Sequence, residues 1–147
     1  PDLRIEEIEA LLASDRATAE RIAQVTGGHP GLVRTAAGLG LALEHVALEQ
    51  ALSRTPDVLG ILKHRMDDDD RQKRPPRRHA SFVLRALLDG RPVKTLEDLG
   101  SDLDLPEVRL FYDGMLRSDE QGRTLFRCAA VRRAAALVLS QWDEVQV

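Results

Sequence analysis

The sequence predicts an all-α protein: a small helical bundle followed by a second helical unit that ends in a short β wing. Three observations point there. Apolar residues recur at helical spacing through most of the 147 residues, and glycine, proline and capping residues punctuate them where helices stop and start. One short stretch, Thr124-Leu125-Phe126-Arg127, alternates as a strand does. Between the two helical series lies Asp67 to His79, four carboxylates and then five basic residues around Pro75-Pro76, with no apolar periodicity. The predicted division is therefore a helical domain at 1–66, a solvated linker at 67–79, and the unit with the wing at 80–147.

In the first unit, Ile5, Ile8, Leu11 and Leu12 place a helix over Arg4 to Ala13, with Glu6, Glu7 and Glu9 early, where the helix dipole favours acids. Ser14 or Asp15 can cap a second helix with Ala19, Ile22 and Ala23 on one face. It stops at Gly27-Gly28, because glycine takes the left-handed conformation without a Cβ penalty. Pro30 then suits the first turn of a third helix carrying Leu32, Val33, Ala36, Ala37 and Leu39. Gly38 and Gly40 weaken its end, each by about 1 kcal/mol. A fourth helix is expected from Leu41 to Ser53, burying Leu43, Val46, Ala47 and Leu52, and a fifth after the cap Thr55-Pro56-Asp57.

In the second unit, Phe82 to Leu88 is a helix stopped by Asp89-Gly90, Arg91-Pro92-Val93 is extended, and Thr95 caps a helix with Leu96 and Leu99. Leu103 and Leu105 are expected in the core. Pro106 opens a third helix with Val108, Phe111, Tyr112 and Met115 on its apolar face. Three helices so punctuated, then the glycine turn Ser118 to Arg123 and the alternating stretch, fit a winged helix-turn-helix, closed by a helix from Cys128 to about Trp142.

The 43% of hydrophobic residues suffices for a core, and no apolar run reaches the roughly 20 residues that span a bilayer. Cys128 is the single cysteine, so no internal disulfide forms and a reducing cytoplasm is expected. The net charge of −3 gives no global attraction to nucleic acid, so any such contact must come from a local patch. Lys73, Arg74, Arg77 and Arg78 in the linker and Arg123 and Arg127 in the wing are the candidates for phosphate contact. The helix opened by Pro106 offers Glu107, Arg109, Asp113 and Arg117 on its polar side, two acids against two bases, which makes it a poor reader of duplex DNA.

The run Ile22 to Val33, with Gly28-His29-Pro30 at its turn, stands upstream of the winged-helix order, which includes Leu87-Leu88-Asp89-Gly90-Arg91-Pro92-Val93 and Met115-Leu116-Arg117-Ser118-Asp119. This arrangement resembles the lid and winged helix of STAND-type P-loop ATPases, regulatory NTPases related to AAA+ proteins. The resemblance implies that Gly28, His29 and Pro30 line the adenine side of a nucleotide site. It also implies that ATP or ADP with Mg is held mainly by an upstream P-loop domain of the same polypeptide, so the chain, which does not start with Met, is expected to be a piece of a longer protein. Nucleotide state would then move lid and winged helix, exposing surfaces for self-association or a protein effector.

The chain itself is expected to be non-catalytic. A P-loop needs G-x-x-x-x-G-K-[ST], and no Gly-Lys pair occurs. The four histidines are scattered, no serine has a nucleophile-elbow context, and the aspartate run lacks the dispersed pattern of a calcium loop. No catalytic or metal-binding residues are assigned. A DNA-binding winged-helix regulator with an accessory helical domain is the alternative reading, and a plain helical interaction module a third.

Overall fold

The computed structural model describes residues 2–146; Pro1, Val147 and the side chains of Leu96, Glu144, Val145 and Gln146 lie outside what is described. Helix α1 (Ile5–Leu12) lies against α2 (Arg16–Thr26), and α2 against α3 (Pro30–Leu39). Asp15 caps α2 by accepting from Thr18 N at 2.8 Å. Helix α4 (His45–Ser53) is shorter than expected, because Leu41 and Ala42 form the turn that follows Gly40 and the extended Glu44 is the N-cap. A π-helical turn (Pro56–Gly60) runs directly into α5 (Ile61–Arg71). A 3₁₀ turn (Pro76–Arg78) leads to α6 (Ala80–Leu88), the short α7 (Leu96–Leu99) and α8 (Pro106–Tyr112).

Strands β1 (Leu116–Ser118) and β2 (Thr124–Phe126) form an antiparallel hairpin with Leu116 opposite Phe126 and Ser118 opposite Thr124. Helix α9 (Ala129–Gln146) closes the chain. Among the described residues the regular structure is helical apart from one short hairpin, and no helix is long and apolar enough to cross a membrane.

Although α9 comes last in sequence, it packs on α2, α4, α5 and α6 and on the π-helical turn. Its buried face, Ala130, Val131, Ala134, Ala135, Val138 and Leu139, is small enough to admit several helices at once. One apolar core thus runs from Ile8 and Ile22 through Leu52 and Leu62 to Leu84, Leu110 and Leu116. Each large aliphatic side chain buried there contributes about 1.5–3 kcal/mol relative to exposure.

The linker expectation requires correction on this ground. Asp67 to Arg71 continue α5, and Asp69 falls on its buried face because it follows Leu62 and Met66 at helical spacing. The core passes from residues before 67 to residues after 79 without a break, so this stretch does not separate two cores. Burial departs from expectation elsewhere too: Val46, Leu103 and Tyr112 are exposed, whereas Arg109 on α8 is buried.

Candidate functional site

The turn between α2 and α3 is built by its glycines. Gly27 and Gly28 both adopt positive φ, 68° and 81°, and two backbones close on them. A Cβ on Gly27 would stand 2.7 Å from the Arg127 carbonyl oxygen, and one on Gly28 would stand 2.9 Å from that of Leu3. Leu3 N donates to Gly28 O at 2.8 Å. Buried Thr26 completes the turn: its hydroxyl donates to Ile22 O at 2.7 Å and accepts from Gly28 N at 3.2 Å.

His29 is the N-cap of α3, its Nδ1 accepting from Leu32 N at 3.4 Å. That bond requires Nδ1 unprotonated, and burial, followed by the nearby Arg127 charge, lowers the imidazole pKa. The Nε2 edge lies against Gly114, where a Cβ would approach to 2.7 Å. The residue after the hairpin, Arg127, pairs with Asp2 at 2.6 Å, and its N–H donates to Met115 O. The Gly-Gly-His-Pro turn is thus held between the N-terminal segment, the end of α8 and the end of the hairpin.

Beside it opens a cavity of about 200 Å³ lined by His29, Gly31, Leu32, Thr35, Asp57, Ile61, Asp113 and Met115. Thr35 Oγ1 donates to Asp57 at 2.6 Å, and Asp113 receives Arg65 in a two-bond pair at 2.6 and 2.9 Å. This volume is below the roughly 300 Å³ at which pockets begin to enclose a small ligand, so it can take only one edge of such a molecule. Beyond these bonds, the carboxylates of Asp57 and Asp113 keep lone pairs for N–H donors. Of the three residues expected to line a nucleotide site, His29 lines the cavity; Gly28, buried against Leu3, and Pro30, the first residue of α3, are not among its lining residues.

Comparison with protein-family models, curated proteins and solved structures finds no match.

Four of the six candidate phosphate contacts pair with carboxylates of the chain itself. Arg74 pairs with Asp68 and Asp69, Arg78 with Asp104, Arg123 with Asp119 and Arg127 with Asp2. Lys73 and Arg77 are exposed and make no ion pair among the described residues.

Helix α8 is likewise turned inward. Arg109 Nη2 donates to Asp69 at 2.8 Å and to Arg78 O at 2.9 Å, while Nη1 donates to Leu103 O and Asp104 O. Burial lowers the Arg109 pKa. With Arg109 in the interior and Asp113 bound to Arg65, two of the four polar residues expected on this helix are spent on intramolecular pairs, and a third, Arg117, lies on β1 instead of α8. Among the described residues no cluster of metal-ligating side chains is found. Cys128 is held as a thiol by burial, which pushes its pKa up.

Sequence reasoning missed the Asp69–Arg109 pair. The periodicity Leu62, Met66, Asp69 pointed to it, but an aspartate within a run of four reads as solvated surface.

Proposed function

We propose that this chain is the lid and winged-helix segment of a cytoplasmic STAND-like regulatory ATPase, relaying nucleotide state from an upstream P-loop domain to an effector or to self-association. The observation that carries this reading is the placement of His29, which caps α3, lines the small cavity and rests against Gly114 at the end of α8. A base edge entering there would press on the contact between the α2–α3 turn and the hairpin unit. The acidic rim accepts N–H donors, such as the exocyclic amine of adenine, and leaves the phosphates to another domain. Only ligand contact that differs between two arrangements can shift their populations, and this turn touches both halves.

Titration with ATP, ADP and adenosine, followed by amide and imidazole NMR shifts, tests the proposal. Binding on the order of millimolar is expected, with shifts at His29, Leu32 and Gly114, little difference between adenosine and ATP, and no turnover. Absence of any shift at these residues at saturating adenosine would overturn the nucleotide reading. Sub-micromolar affinity or hydrolysis would overturn the view that the phosphate-binding half lies elsewhere.

A further inference from the structure

Away from the His29 cavity, three neighbouring hollows share lining residues and are together called a trough. The first lies between Leu87, Leu125, Phe126 and the start of α9; it shares Leu87 and Leu125 with a second that reaches Val93, and Ala129 and Arg132 with a third along α9. Its apolar lining, Leu87, Leu88, Val93, Leu125 and Phe126, is half-buried. The rim carries Arg91, Arg117, Arg123, Arg132 and Arg133.

The two acids lining the trough are neutralised from within. Asp119 is held by Arg123 at 2.7 Å and Glu49 by Arg133 at 3.3 Å, and in each pair the carboxylate is tucked under while the guanidinium faces outward. Arg117 and Arg132 are exposed and make no ion pair among the described residues. A chain of net charge −3 therefore concentrates outward-facing arginines around one apolar furrow.

From this charge pattern we infer that the trough docks an acidic segment of a partner protein whose apolar side chains enter the furrow. Leu87, Leu125 and Phe126 would receive those side chains, and Arg117 and Arg132 would meet its carboxylates. The apolar lining sets this occupant apart from a nucleic-acid backbone, which offers phosphates to the rim and nothing to the furrow. The inference does not depend on the nucleotide reading, since the trough shares no residue with the cavity at His29.

The test is fluorescence anisotropy with a short labelled peptide alternating glutamate with leucine or phenylalanine. Controls are the same peptide with serine at the apolar positions, the same with lysine at the acidic ones, and a duplex oligonucleotide. Binding is expected for the first peptide alone, weakened about tenfold or more in R117E/R132E. Both arginines are exposed and make no ion pair among the described residues, so this variant should keep the far-UV circular dichroism spectrum and melting temperature of the parent. Equal binding of the serine peptide, tighter binding of the duplex at the same salt, no binding of the first peptide, or an unchanged affinity in the double variant would each overturn the inference. So would sedimentation showing a dimer that R117E/R132E dissociates, because the trough would then belong to a second copy.

Discussion

Asp69 and Arg109 meet at 2.8 Å in the interior, 40 residues apart in sequence, and join the end of α5 to α8. The same carboxylate accepts from Ala80 N at 2.6 Å and from Arg74 at 2.9 Å, so one buried aspartate ties α5, the segment after it, the start of α6 and α8 together. Removing one member of such a pair leaves the other charged and unpaired in the interior. Asp69→Ala should therefore cost about 3–5 kcal/mol in urea denaturation. Asp69→Ala combined with Arg109→Met should cost less than Asp69→Ala alone, because the orphaned guanidinium is gone. A single variant within about 1 kcal/mol of the parent would show that the pair contributes nothing to holding α5 on α8.

The cap on α3 makes stability depend on pH in a stated direction. The folded state holds His29 below its ordinary pKa of about 6.5, so between the two values the unfolded chain binds more protons. This contribution is complete above about pH 6.5 and declines as the pH falls toward the folded value. His29→Asn keeps a side-chain cap and does not titrate. Urea midpoints measured from neutral to mildly acidic pH should show a smaller decline in His29→Asn than in the parent; parallel curves would refute the assignment.

A second acid-side loss comes from Asp68. Arg74 and then Arg71 lower its carboxyl pKa to about 2. Its stabilisation is present above the ordinary carboxylate range near pH 4 and is lost as the pH falls through about 2. Asp68→Asn should flatten this part of the profile and leave the His29 part unchanged.

Gly27 and Gly90 separate two costs. Gly90, at φ 72°, has open space where a Cβ would stand, so Gly90→Ala bears only backbone strain, on the order of 1 kcal/mol. Gly27 has nearly the same φ, but its Cβ would meet the Arg127 carbonyl oxygen at 2.7 Å, a backbone atom that cannot swing away. Gly27→Ala should be the more destabilising by a clear margin in thermal melts. Similar losses would mean that the turn and the hairpin end are not in close contact in solution.

Much of this architecture was legible because the signals were local. The cap at Asp15, the left-handed Gly27, the proline at the start of α3 and α8, and the hairpin around Gly122 are each set by neighbouring residues. What was not legible depends on distant partners. Arg109 reads as a surface residue until Asp69 and the carbonyls of Arg78, Leu103 and Asp104 are brought around it. The turn at Gly28-His29-Pro30 was readable as a turn, but its contact with Gly114 and Arg127 could not be read from spacing, since those residues lie far along the chain.

The continuity of the core predicts how the molecule behaves when cut. Lys73 and Arg77 are exposed in the segment between α5 and α6, and trypsin should cleave there. A linker between two separate units would let the pieces drift apart once cut. Here α9 packs on α2, α4 and α5, so the piece after the cut keeps its helix embedded among those of the piece before it. The nicked protein should therefore elute from size exclusion at the parent position, and both fragments should appear together on a denaturing gel. Separate elution of the two pieces without denaturant would show that the halves do not share a core, and would restore residues 67–79 as a domain boundary.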